Sequence, residues 1–236
     1  MKEANVNKFI DSLVKDENGE TRNSVTRITF WRHGDCLDNG NLSRQGYRDA
    51  VNLGLEIKSH PPHLINSSIC ERTLESAQGF LQGINCSGYF VDPSRINEMP
   101  LLAPPSLSRQ EIVPESLYHW TSALAHLIDY YSRQTRETED TDYFWIVNFT
   151  HSIVIGNLLN SLIGWQTAYN FKGCFERIQY LKGCDFITII TKEGEKQHKL
   201  LCGEVVFKPD MQKLNQLVDR YKISPYRGIS EKDEDL

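Results

Sequence analysis

Apolar positions along this chain recur at two periods, and the switching between them lays out an architecture. Val6, Phe9, Ile10, Leu13 and Val14 fall at helical spacing near the N-terminus. A polar stretch over 16–24 separates them from a short β-prone run, Ile28-Thr29-Phe30-Trp31. A helix is predicted over 43–57, carrying Ala50, Val51, Leu53, Leu55 and Ile57. Pro61 and Pro62 break the chain before a second strand at 63–66, and a helix follows over 73–81. Tyr89-Phe90-Val91 reads as a third strand, and the proline-rich segment 93–114 as loop. Leu117, Trp120, Leu124, Leu127, Ile128 and Tyr131 line one face of the next helix. Beyond a charged link over 133–142, residues 143–149 form the strongest strand pattern, and 158–163 continue a further helix. Two late strands are predicted at 177–181 and 186–191, with a turn at 192–195 after the second. Met211, Leu214, Leu217, Val218 and Tyr221 mark a closing helix.

Strands that alternate with helices imply an α/β fold, here a three-layer α/β/α sandwich around a mostly parallel central sheet. No internal repeat or Gly/Ser linker divides the chain. One domain is therefore expected over 26–222, with a helical extension at 1–25 and a frayed acidic tail at 223–236. Composition alters this picture little: 39% hydrophobic and 24% charged residues are ordinary for a globular protein. The net charge of -5 argues against a broad surface for nucleic acid or anionic membrane, while leaving room for a small basic pocket. The N-terminus carries no apolar core of a signal peptide, and the apolar runs are too short to span a bilayer. Six cysteines with no C-x-x-C pair suit reduced thiols, so a cytoplasmic location is expected.

Three polar clusters lie just past predicted strand ends: Arg32-His33-Gly34, residues 68–72, and His151-Ser152. In an open α/β sheet, ligands sit beyond the carboxyl ends of the strands. Two arginines and two histidines are thus expected to converge on one edge. Phosphoryl transfer uses this set: an imidazole nitrogen attacks phosphorus, and guanidinium groups fork onto the equatorial oxygens. Other phosphate chemistries fit less well. No cysteine precedes an arginine in C-x5-R spacing, and the chain contains no G-x-x-x-x-G-K-[ST] loop for nucleotide phosphates.

Phe30-Trp31-Arg32-His33-Gly34-Asp35 resembles the R-H-G-[ED] motif of the histidine phosphatase superfamily. Leu42-Ser43-x-x-Gly46 followed by Ala50, Ser68-x-x-x-Arg72-x-x-x-Ser76-Ala77, and Asn148-Phe149-Thr150-His151 resemble its later motifs in order, across about residues 26–165. The resemblance implies a phosphoglycerate mutase-like fold and a set of roles. His33 is the expected nucleophile, and Arg32, Arg72 and His151 hold the phosphoryl group, joined by Asn39 and Ser152 as further phosphate contacts. Glu98, in Ile96-Asn97-Glu98 after the third predicted strand, is the expected general acid, with Glu111 and Glu115 as alternatives. The resemblance implies no metal and no cofactor. Only 35–41 separate the first motif from Leu42, and the mutase-type E-R-h-Y-G is missing near Glu98. Hydrolysis of a phosphorylated small molecule or phosphoprotein is therefore expected. A mutase, or an interaction module with weakened chemistry, is the alternative. The insertion over 93–116 is expected to cover the pocket and set substrate choice.

Overall fold

Residues 23–32 form the central strand because both faces of that segment are covered. Val25, Thr26, Arg27, Ile28, Thr29 and Phe30 are all fully buried. Arg27 and Thr29 tolerate this by sharing Asp185: Arg27 Nε donates at 2.7 Å and the Thr29 hydroxyl at 2.5 Å. The Arg27 guanidinium also lies over Trp145, 4.4 Å from the ring centroid. A run that looks polar in sequence thus extends the expected strand back to Asn23.

The computed structural model describes residues 3–57, 60–92, 95–104, 114–134, 142–164, 183–203 and 205–220. Its strands are β1 (Asn23–Arg32), β2 (Leu64–Ser67), β3 (Ile96–Glu98), β4 (Tyr143–Thr150), β5 (Gly183–Thr191), β6 (Lys196–Cys202) and β7 (Val205–Phe207). Its helices are α1 (Glu3–Val14), α2 (Arg44–Leu55), α3 (Glu71–Cys86), α4 (Pro114–Gln134), α5 (Ser152–Ile163) and α6 (Met211–Arg220). The strands make one sheet in the order β3-β2-β4-β1-β5-β6-β7. β3, β2, β4 and β1 run parallel, and the pairings from β1 through β5 and β6 to β7 are antiparallel. The expected α/β sandwich is present, and its sheet is mixed. One face carries Val6, Ile10 and Val14 of α1 together with Ala50 of α2 and Phe80 and Ile84 of α3. The other carries Leu124 and Ile128 of α4, Leu158 of α5, and Leu214 and Leu217 of α6. α2 and α3 pack so closely that a Cβ on Gly83 would overlap the Val51 carbonyl.

Tyr89-Phe90-Val91, expected as the third strand, is not a strand. The Asn85 side chain meets both backbone groups of Val91, accepting its N–H at 2.8 Å and donating to its C=O at 3.1 Å. With those groups satisfied, no ladder is needed there. The third strand is Ile96–Glu98, inside the segment expected to be loop. β6 and β7 were not expected: Lys196-Gln197-His198-Lys199 reads as polar, and only Leu200, Leu201 and Cys202 of β6 are buried. The strand expected at 177–181 and the tail at 223–236 lie outside the described residues. Among those described, no helix is long and apolar enough to cross a membrane.

Candidate active site

β1, β2 and β4 are parallel neighbours, so their carboxyl ends and the turns beyond them share one edge. The ladders continue into those turns. His33 N–H donates to Thr150 O at 3.0 Å, and Ser68 N–H donates to Phe149 O at 3.0 Å. The segment after β1 rests on the first turn of α2, where a Cβ on Gly34 would meet the Gly46 carbonyl at 2.6 Å. Ser43 caps that helix, accepting Gly46 N–H at 2.9 Å. Ser76 ties the same segment to α3: its hydroxyl accepts Gly34 N–H at 3.0 Å and donates to Arg72 O at 2.7 Å. Two sequence-remote loops are thereby fixed to one another.

The structure brings His33, Arg72 and His151 into direct contact. The two imidazoles are 7% and 4% exposed, with ring centroids 5.1 Å apart. His33 Nδ1 lies 2.7 Å from Gly34 O. A carbonyl only accepts, so Nδ1 carries the proton and Nε2 keeps its lone pair. That lone pair receives Arg72 Nε–H at 3.2 Å. Arg72 Nη2 reaches His151 Nδ1 at 3.3 Å, which leaves the His151 proton on Nε2.

His151 Nε2–H then meets Ser68 Oγ at 3.1 Å. Ser68 Oγ also accepts Cys70 N–H at 3.2 Å and lies 2.7 Å from Thr73 Oγ1. The Thr73 hydroxyl has only carbonyls left to donate to, Cys70 O at 2.5 Å and Ser68 O at 3.1 Å. The chain of donors therefore runs from His151 through Ser68 and Thr73 to the backbone, and it fixes both the ring and its tautomer. The sequence marks Ser68 only as a motif position and Thr73 only as a helix residue, and their part in orienting His151 was not expected. The only signal there was two alcohols flanking Arg72 in a short turn.

Burial lowers both histidines, His33 to about 4 and His151 to about 3. For His33, the nearby Arg72 and Arg32 charges act in the same direction. For His151, the neighbouring His33 comes next after burial, then the two arginines. Both rings are therefore neutral at pH 7. The folded state binds fewer protons than the unfolded chain wherever pH lies between these values and 6.5. Stability is thus fully present above about pH 6.5 and falls as pH drops through that window. Thermal melts in phosphate-free buffer should show the His151→Gln variant losing less Tm between pH 7 and 5 than wild type. An equal loss would place the acid sensitivity elsewhere.

Arg32 ends β1, and its charge acts on His33, His151 and Cys36. Cys36 Sγ is 3.3 Å from His33 Nδ1, and burial pushes its thiol above the ordinary range. At neutral pH it is therefore a protonated neighbour rather than a thiolate. Ser152 is half-buried at the start of α5, directly after His151. Asn39 is exposed, and its side-chain oxygen accepts Asn41 N–H at 3.1 Å within the turn.

Glu98 is exposed at the end of β3, in register with Ser67. It stands at the same sheet edge, and its side chain makes no hydrogen bond or ion pair with any other described residue. Glu111 and the side chain of Glu115 lie outside the described residues. Among the described residues, no group of three or more His, Cys, Asp or Glu could hold a metal ion.

No protein-family model matches the chain, and no curated protein matches it by sequence. Solved structures do match. A phosphoglycerate mutase from Bacillus anthracis str. Sterne aligns over 83% of this chain and 98% of its own, with a TM-score of 0.51 and 13% identity. A phosphoglycerate mutase from Plasmodium falciparum covers 79% and 96%, with a TM-score of 0.45 and 16% identity. An ecdysone phosphate phosphatase from Bombix mori covers 73% and 91%, with a TM-score of 0.42 and 12% identity. The chain has a phosphoglycerate mutase-like fold.

Proposed function

We propose that this chain is a phosphatase that hydrolyses a phosphomonoester through a phosphohistidine on His33, without a metal ion. One observation carries the reading: His33 Nε2 keeps a lone pair on a neutral ring, beside a guanidinium that also reaches His151. In the first step Nε2 bonds to phosphorus and the ester P–O bond breaks, with the leaving oxygen taking a proton. In the second, water attacks phosphorus, the N–P bond breaks, and phosphate leaves His33 neutral again. Arg32, Arg72 and His151 hold the equatorial oxygens, where charge accumulates. A proton on His151 Nδ1 would turn that ring into a donor toward the anion, while Nε2–H stays on Ser68. Ser152 adds a hydroxyl at the positive end of α5. Asn39 retains only its NH₂ for an anion, since its oxygen is used by the turn.

Wild-type protein should release phosphate from p-nitrophenyl phosphate in EDTA, and His33→Ala should lower the rate by roughly 10³-fold or more. Activity that EDTA removes and Mg²⁺ or Zn²⁺ restores would overturn the mechanism. No turnover across a wide set of phosphate esters would favour the interaction-module alternative.

Glu98 is assigned the general acid, because β3 delivers it to the site's edge of the sheet with its carboxyl exposed. An alkoxide needs protonation as it departs, whereas nitrophenolate does not. Glu98→Gln should therefore slow alkyl phosphates about 10²-fold or more while sparing p-nitrophenyl phosphate. Equal effects on both substrates would move the role to Glu111 or Glu115.

A further inference from the structure

Three of the seven exposed large hydrophobic side chains among the described residues belong to the turns that carry the site. Leu37 is 54% exposed, four residues after His33; Ile69 is 55% exposed, between Ser68 and Arg72; Ile153 is 39% exposed, two residues after His151. Hydrogen bonds hold these turns together around one point. Gly40 N–H donates to Leu37 O at 2.9 Å, and a Cβ on Gly40 would lie 3.8 Å from Arg72 Nη1. Leu37 therefore tops a tight turn that flanks the Arg72 guanidinium. Ile69 follows the serine that holds His151, and Ile153 lies in the first turn of α5, which starts from the His151 carbonyl. Leu37 and Ile69 in the loops, and Ile153 in the first turn of α5, thus each leave apolar surface exposed close in sequence to a site residue.

Within these turns themselves, the charges other than the two arginines are acidic. Apart from Arg32 and Arg72, residues 32–42, 68–72 and 151–154 contain only Asp35, Asp38 and Glu71 as charged side chains. Both arginines are committed to the phosphoryl group in the proposed mechanism. A second phosphate or a carboxylate on the substrate would meet aliphatic side chains and carboxylates there.

We infer that the substrate carries an apolar organic group next to its phosphate, seated against Leu37, Ile69 and Ile153, and bears no second anionic group. The inference rests on the phosphatase reading for its chemistry, but binding tests it separately. Alkylphosphonates cannot be hydrolysed at the P–C bond, so their affinity reports the apolar seat without turnover. Fully burying one methylene is worth about a factor of four in affinity. Partial cover of four methylenes should make hexylphosphonate bind roughly 10-fold or more tightly than ethylphosphonate, measured by calorimetry on the full chain. The doubly substituted Leu37→Ser, Ile69→Ser protein should bring that ratio near one. Both positions are exposed, so the substitutions spare the core. 3-Phosphonopropionate, with its extra carboxylate, should bind more weakly than ethylphosphonate.

A hexyl-to-ethyl ratio near one in wild type would overturn the inference. So would a ratio that survives the double substitution, or tighter binding of the dianionic compound. Turnover of ethyl phosphate, measured in parallel, reports on the phosphatase reading alone, so the two can fail separately.

Discussion

Mixed with a labelled aryl phosphate and quenched within milliseconds, the wild-type protein should yield a phosphoryl group that is labile in acid and stable in alkali. His33→Ala should yield none, and its steady-state turnover should fall by roughly 10³-fold or more. A phosphoramidate has this stability pattern, and phosphoserine does not. The expectation follows from the tautomer of the ring. Gly34 O holds Nδ1–H, so the only lone pair of His33 is on Nε2, toward Arg72. Burial lowers the ring to about 4, which keeps that lone pair unprotonated well below neutrality. Cys36 is the nearest rival nucleophile, 3.3 Å from the ring, but burial raises its thiol and removes the thiolate that attack requires. A phosphoryl group trapped on cysteine or serine would refute the assignment.

Arg72→Ala should lower kcat/KM by about 10²-fold or more, and Arg72→Lys should recover only part of the loss. The reason is geometric. Arg72 presents Nε and Nη2 to two different imidazoles at 3.2 and 3.3 Å, so one planar group spans the space between the candidate nucleophile and its partner. A phosphoryl group entering that space would find two parallel donors. Lysine keeps the charge but offers a single point of contact. Folding should be little affected, because the contacts of Arg72 are with site residues rather than the core. Comparing kcat/KM with the melting temperature separates a lost contact from a lost fold. Wild-type rates in Arg72→Ala would make the second motif a chance match.

Most of what sequence could supply came from strands buried on both faces and the polar clusters just beyond them. β4 reads directly because Tyr143 through Phe149 are apolar except for Asn148. β1 was cut short because Arg27 looks like surface, and only the fold shows Asp185, 158 residues away, waiting to pair with it. The mixed half of the sheet was hidden for a similar reason: β6 is an outer strand whose first half is exposed, so it lacks a buried strand's apolar run. The false strand at 89–91 shows local composition losing to a single asparagine, Asn85, that satisfies the backbone by itself.

At the site, sequence order was enough to bring His33, Arg72 and His151 to one edge. It could not show that Ser68 and Thr73 orient His151, because their hydroxyls matter only through distances set by the turn. Nor could it show that Glu98 ends a strand of its own, since a three-residue strand leaves almost no period to detect.

The guanidinium lying between the two imidazoles has a consequence for what else could enter. Neutral imidazoles that share a pocket ordinarily attract zinc, copper and nickel. Here each inward lone pair already faces an N–H of Arg72, so a divalent cation approaching either nitrogen first meets a fixed positive charge. An anion experiences the opposite field and would be drawn toward the guanidinium. The side chain that would hold the phosphoryl group in the proposed mechanism thus also disfavours a divalent metal ion at these two nitrogens.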